Sequence, residues 1–135
     1  MTKQNGSYLL DTSVIIDYLK GNPTATTMID SLEGEFYGSF ICLAELYEGL
    51  ERMTSRTKIE PVIKDHFASY HHVFGLDEKI CQNFAQVRVD LKKRGEIIED
   101  MDIFIAATCL AHNLTLVTKN PKHFSRVKNL ETLPL

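Results

Sequence analysis

Four polar residues that can bind a divalent cation lie near predicted strand ends and helix starts. Asp11 ends a short apolar run, and Glu45 lies in the first turns of the helix after the next predicted strand. Asn120 follows the predicted strand 114–118 by two positions, and Asp102 lies in the first turn of the helix that leads into that strand. In a parallel sheet, strand ends and the helix starts beside them share one edge, where ligands bind. The sequence therefore predicts that these four side chains converge.

Three carboxylates at one edge repel one another unless protons or cations offset their charge. At a separation of about 4 Å and an effective dielectric constant near 20, each pair would cost roughly 4 kcal/mol. Carboxylate oxygens without a histidine favour Mg²⁺ or Mn²⁺, and such ions polarise phosphates and activate water. The simpler alternative for each acid taken alone is a helix N-terminal residue that complements the helix dipole.

Strands and helices are predicted to alternate along the chain. Short apolar runs predict strands at residues 8–10, 36–41, 71–76, 114–118 and 130–133, and apolar residues spaced three and four apart predict helices between them. This alternation is typical of an α/β domain whose parallel sheet is covered by helices on both faces. One domain is expected over 1–135, with residues 1–6 as an N-terminal tail.

The composition narrows the class of protein. Hydrophobic residues make up 44% and charged residues 24% of the chain, which is typical of a globular domain and not of a disordered one. The net charge of −3 means that any nucleic-acid binding must rest on local patches or bound metal ions. Neither a membrane-spanning run nor a secretory signal is predicted. Three cysteines without a C-x-x-C pair are expected to be reduced, as in a cytoplasm.

Three segments of the sequence resemble successive blocks of one known family. They are YLLDTSVIIDYLKG, ICLAELYEGLERM and DMDIFIAATCLAHNLTLVTKNPKHF. In this order and with these gaps they resemble PIN-domain ribonucleases, in particular the VapC-type toxins of bacterial and archaeal toxin–antitoxin modules. The resemblance covers nearly the whole chain.

The resemblance implies a fold, an activity and partners. The fold would be a PIN-like three-layer sandwich, with a central parallel sheet of four to five strands flanked by helices. The activity would be metal-dependent hydrolysis of RNA phosphodiester bonds, with Mg²⁺ or Mn²⁺ held by the catalytic residues Asp11, Glu45 and Asp102. The partners would be RNA, a cognate VapB-like antitoxin and a second copy of the chain, in a bacterial or archaeal cytoplasm and away from membranes.

Three further positions match supporting residues of the family. Asn120 occupies a position that is often aspartate, and a neutral amide binds a divalent cation less strongly, so the number of bound ions stays open. Thr12 and Thr118 match small hydroxyl residues that orient a ligand or a water molecule. Their alternative roles are a helix cap and a strand end.

Basic residues cluster just past the strand that precedes Asn120. Lys119, Lys122 and Arg126 lie within eight residues, together with His123. Such a cluster can contact RNA phosphates, although a run of charge is more often a solvated surface.

Three other acids compete for places at the site. Glu48 lies one turn beyond Glu45, but Arg52 follows it at the spacing of a surface ion pair. Asp100 is a candidate helix cap or an outer group at the metal site, and Asp17 is a candidate helix-surface residue or an outer partner of the site.

Two alternative functions remain. A PIN-like protein that binds RNA or a partner without cutting is the main one, and the amide of Asn120 is the feature that favours it. A phospho-acceptor receiver domain would need an acid pair after the first strand, where this chain has Asp11 alone, and Asp77 as the phosphorylated residue.

Overall fold

A computed structural model describes residues 6–135 of the chain. Strands and helices alternate, as the sequence predicts. The elements are β1 (Gly6–Leu10), α1 (Thr12–Leu19), α2 (Pro23–Ser31), β2 (Gly34–Ser39), α3 (Phe40–Glu51), α4 (Arg56–Ala68), β3 (His72–Phe74), α5 (Glu78–Arg94), α6 (Asp100–His112), β4 (Thr115–Thr118), α7 (Pro121–Phe124) and β5 (Thr132–Pro134).

The strands of residues 6–135 form one sheet in the order β3-β2-β1-β4-β5, and every adjacent pair is parallel. β1 lies at the centre, with Leu9 paired to Tyr37 of β2 and Leu10 paired to Val117 of β4. Leu9 and Leu10 are both buried, which is why β1 is a continuous apolar run and not an alternating one. The predicted α/β fold with a parallel sheet flanked by helices is confirmed.

The helices that carry the site are fixed by apolar packing. α6 buries an Ile- and Ala-rich surface that includes Ile103 and Ala106. Phe104 of α6 stacks on Phe84 of α5 with ring centroids 3.9 Å apart. These contacts hold the first turn of α6 at one edge of the sheet. Among residues 6–135, no helix combines the length and the apolar character needed to span a membrane.

Element ends differ from the sequence predictions at several places. The predicted second strand, 36–41, is wrong at its end, because β2 stops at Ser39 and α3 begins at Phe40. Buried Ser39 caps α3: its Oγ accepts a hydrogen bond from the Ile41 amide at 3.0 Å. Gly6, assigned to the tail 1–6, belongs to β1, and residues 1–5 lie outside the described part of the chain.

The two outer strands are also misplaced by the sequence analysis. The strand predicted at 71–76 shortens to His72–Phe74, and the strand predicted at 130–133 shifts to Thr132–Pro134. Both strands lie at the sheet edges, where few neighbours define their ends.

Candidate active site

Asp11 is the centre of the site and follows β1 directly. Its amide donates to the Val117 carbonyl at 2.9 Å, so the ladder between β1 and β4 continues to this residue. Its side chain caps α1, because Oδ1 accepts the Thr12 amide at 2.9 Å. Asp11 is only 7% exposed.

Thr118 fixes the second oxygen of Asp11 from the neighbouring strand. Its hydroxyl donates to Asp11 Oδ2 at 2.9 Å and accepts the Asn120 amide at 2.9 Å. Thr118 is fully buried, so no water can replace this donor. Thr118, which the family resemblance identifies as a supporting hydroxyl residue, thus contacts the buried carboxylate of Asp11.

Glu45 reaches the same edge from α3. The Thr12 hydroxyl donates to Glu45 Oε1 at 2.5 Å, while the Thr12 amide binds Asp11. Thr12 therefore joins the two acids. Glu48 points outward: its side chain is 71% exposed and lies 3.5 Å from Arg52.

Asp102 completes the group from the first turn of α6, with a side chain that is 20% exposed. Its Oδ2 lies 3.7 Å from His123 Nδ1. Asp100, two residues earlier, is turned away and pairs with Arg88 at 2.9 Å. The structure thus assembles Asp11, Glu45 and Asp102, and leaves Asp100 on the outside.

Burial and neighbouring negative charge raise the pKa of the site's carboxyl groups. Burial is the largest cause for each of the three acids. The charges of Asp102 and Asp11 raise the pKa of Glu45 further, and the charge of Asp11 does the same for Asp102. Hydrogen bonds from Thr118 and Thr12 act in the opposite direction on Asp11 and Glu45. The acids therefore share one negative field that disfavours their ionised forms.

A cation would relieve this field. Within residues 6–135, no three His, Cys, Asp or Glu side chains are already grouped tightly enough to hold a metal ion by themselves. The donor set nevertheless fits Mg²⁺ or Mn²⁺, because it consists of carboxylate oxygens and contains neither thiolate nor a histidine ligand.

The fourth predicted position behaves differently from the acids. Asn120 is exposed, and its Nδ2 lies 2.8 Å from His123 Nδ1. Its side chain is thus engaged by His123. The sequence analysis did not foresee this contact, although the three-residue spacing on a helical turn is a signal for it.

The basic residues near Asn120 do not form one surface. Lys119 Nζ pairs with Asp17 Oδ2 at 2.7 Å, and Arg126 Nη1 donates to the Ile97 carbonyl at 3.4 Å. Lys122 is exposed and has no ion pair within the described chain. Lys122 is therefore the cation of this set that is best placed to contact a ligand.

Residues 8–130 match the PIN domain family. The chain belongs to the PIN-domain family. Ribonuclease VapC1 of Methanocaldococcus jannaschii is 37% identical over 128 residues, which cover 95% of this chain and 86% of that protein. Ribonuclease VapC2 of Haemophilus influenzae is 32% identical over 126 residues, which cover 93% and 95%.

The fold of this PIN-domain protein also matches a solved complex. The structure of VapBC2 from Rickettsia felis, bound to a DNA fragment from its promoter, superposes with a TM-score of 0.88. The match is 25% identical and covers 96% of this chain and 98% of that one. The predicted resemblance to VapC-type PIN domains is confirmed.

Proposed function

We propose that this PIN-domain protein is a metal-dependent endoribonuclease that acts as the toxin of a toxin–antitoxin pair. The observation that carries the proposal is the gathering of Asp11, Glu45 and Asp102 at one sheet edge, where burial and neighbouring negative charge raise their pKa values. Two relatives that match nearly the whole chain are named ribonucleases, which supports the activity.

The three acids would have different roles in catalysis. When bound, Mg²⁺ or Mn²⁺ would polarise the phosphate and lower the pKa of a water molecule. Asp11 and Glu45 are held by the hydroxyls of Thr118 and Thr12, so they would give fixed oxygen ligands. Within residues 6–135 the Asp102 carboxylate has no such hydroxyl donor, and its Oδ2 lies 3.7 Å from His123 Nδ1. Asp102 is thus freer to orient the attacking water or to accept its proton.

RNA would approach from the side of the loop after β4. Within residues 6–135 the Lys122 ammonium has neither an ion pair nor a hydrogen bond, whereas Lys119 is paired with Asp17 and Arg126 donates to the Ile97 carbonyl. We therefore expect Lys122 to contribute most to RNA affinity. Removing its positive charge should also reduce the salt dependence of RNA binding, because fewer counterions would be released from the phosphates.

A VapB-like antitoxin and a second copy of the chain are the proposed partners. The Rickettsia felis relative was solved as a VapBC complex. On α4, Ile59 and Val62 are 36% and 45% exposed, and we propose this apolar surface of the helix as a contact for a protein partner. A cytoplasmic location stays a prediction.

The test is cleavage of total RNA by purified, partner-free protein with Mg²⁺, Mn²⁺ or EDTA. Asp11→Ala and Asp102→Asn should lose cleavage by about a hundredfold or more and still fold, because they remove groups that act on the reacting phosphate. Glu48→Gln is the matched control, since Glu48 is an exposed acid on the helix of Glu45, and it should cut as the wild type does.

Two results would contradict the proposal. If Asp102→Asn cleaves RNA as fast as the wild type, the assignment of Asp102 to the active site is wrong. A folded wild-type protein that cuts no RNA with any metal would favour a PIN-domain protein that binds RNA or a partner without hydrolysing it.

A further inference from the structure

His123 has the geometry of a working group at the site, although its place in the sequence indicates only membership of a basic cluster. Its Nδ1 lies 2.8 Å from Asn120 Nδ2 and 3.7 Å from Asp102 Oδ2. The side chain is 42% exposed, so one edge of the ring faces the site and the other faces solvent. The ring therefore stands where the acidic site opens to an approaching substrate.

The contact with Asn120 selects one tautomer of the ring. An amide nitrogen only donates hydrogen bonds, so Nδ1 accepts in this 2.8 Å contact, which is closer than the 3.7 Å approach of Asp102 Oδ2 that would favour a proton on Nδ1. In a neutral imidazole the proton then lies on Nε2, which becomes a donor. Nε2 is not used in any hydrogen bond from residues 6–135. The arrangement thus leaves an unused N–H group on the ring whose Nδ1 lies near Asp102.

The loop that carries both residues is anchored at two points. The Asn120 amide is bonded to the buried Thr118 hydroxyl, and Phe124, next to His123, is 1% exposed and packs into the core. Asn120 and His123 therefore keep their relative positions before any ligand arrives. Such preorganisation reduces the cost of forming a hydrogen bond to a substrate.

We propose that Asn120 is a positioning residue for His123, and that His123 Nε2–H donates a hydrogen bond to an RNA phosphate oxygen at the mouth of the acidic site. The phosphate contact rests on the proposed ribonuclease function, whereas the tautomer does not. On this view the asparagine is not a weakened metal ligand. Its amide group instead donates to His123 Nδ1, and an aspartate carboxylate could not make this contact in the same way because it only accepts hydrogen bonds.

The first experiment reads the tautomer directly by ¹⁵N NMR of the imidazole, in EDTA and at alkaline pH. The wild type should carry its proton on Nε2. Asn120→Ala should give a mixture of tautomers, and Asn120→Asp should move the proton to Nδ1, because a carboxylate only accepts hydrogen bonds. A wild-type proton on Nδ1, or a tautomer that is unchanged in both variants, would overturn the positioning role.

The second experiment measures the phosphate contact. His123→Ala should lower kcat/KM for RNA cleavage by about tenfold to a hundredfold, as expected when a hydrogen bond to a charged group is removed. The effect should lie mainly in KM, because the contact is made in both the bound state and the transition state. His123→Gln keeps an N–H donor and should recover part of the activity. His72→Gln, which replaces an exposed histidine on β3, is the control.

Failure of this inference can be separated from failure of the proposed function. If the wild type cuts RNA and His123→Ala cuts within about twofold of it, the phosphate contact is wrong and the ribonuclease stands. If the wild type cuts no RNA, affinity for a short single-stranded RNA in EDTA replaces kcat/KM as the readout. Equal affinity of wild type and His123→Ala would then overturn the contact. If Asn120→Asp cleaves RNA faster than the wild type at alkaline pH, the residue at position 120 acts as a metal ligand, and its positioning role for His123 is wrong.

Discussion

Replacing Thr118 with valine should destabilise the protein in a way that depends on the charge of Asp11. The Thr118 hydroxyl is fully buried and donates to Asp11 Oδ2 at 2.9 Å. A hydrogen bond to a charged group contributes about 1.5–3 kcal/mol, and water cannot reach this position to replace it. The Asn120 amide also loses its acceptor, but Asn120 is exposed and can bind water instead. We therefore expect Thr118→Val to lower the free energy of unfolding by about 2–3 kcal/mol at neutral pH.

The pH dependence distinguishes this cause from a general packing defect. The bond from Thr118 lowers the pKa of Asp11, against the larger effect of burial, so its removal raises that pKa further. The Asp11 carboxyl group then holds its proton more tightly in the folded variant than in the folded wild type. The cost of the substitution should be fully present above the raised pKa of Asp11 in the variant. It should shrink as the pH falls through the window between the Asp11 pKa values of variant and wild type.

Urea unfolding in EDTA at neutral and acidic pH is the measurement. Thr118→Ser is the matched control, since it keeps the hydroxyl and removes only a buried methyl group, at a cost of about 1 kcal/mol. If the valine and serine variants lose equal stability, or if the valine cost is the same at both pH values, the reasoning about Asp11 is refuted.

The remaining predictions concern charge repulsion and backbone geometry. Asp102→Asn should be more stable than the metal-free wild type, and the gain in stability should grow as pH rises through the raised pKa of Asp102. Added Mg²⁺ should reduce this gain because it stabilises the wild type alone, and thermal unfolding measures both effects. Gly34→Ala should cost about 2 kcal/mol or more in urea unfolding, because φ is +138° and a Cβ atom would collide with the backbone of Gly6. Gly49→Ala in α3, where a Cβ meets nothing within 4 Å, should instead stabilise the protein by about 0.5–1 kcal/mol.

The order and type of the elements, apart from the short helix α7, could be predicted from the sequence because apolar periodicity is set by burial. The exact ends could not, as the junction of β2 and α3 shows. Phe40 and Ile41 are apolar and β-prone, so residue type alone extends the strand through them. The helix starts at Phe40 because buried Ser39 caps it, and that burial depends on the finished fold.

The acids of the site were predictable for a topological reason. Asp11, Glu45 and Asp102 converge because parallel connections return strand ends and helix starts to one edge. The hydroxyl groups that bond these acids were harder to predict from topology. The bond from Thr118 to Asp11 joins residues 107 positions apart and requires β1 to lie next to β4 in the observed register. The family resemblance supplied Thr118, whereas spacing alone did not.

The choice between Glu45 and Glu48 shows where local sequence signals are sufficient. The two residues are three apart on α3 and lie on neighbouring parts of the helix surface. The arginine at position 52 offers Glu48 an exposed partner, and the structure contains this pair at 3.5 Å. Glu45 has no such partner and instead accepts the Thr12 hydroxyl. The residue without a compensating cation is thus the one that faces the site.

The same logic supports the proposed cation at the site. Lys119 is close in sequence to the site, but its charge is already paired with Asp17 at 2.7 Å. Within the described chain, the carboxylates are held by neutral hydroxyls and faced by a histidine, and neither arrangement supplies the permanent positive charge of a lysine or an arginine. The fold therefore holds the acids in place without neutralising them. Their repulsion is relieved only by protons or by a bound cation, so metal affinity and stability at neutral pH should be linked through the same three side chains.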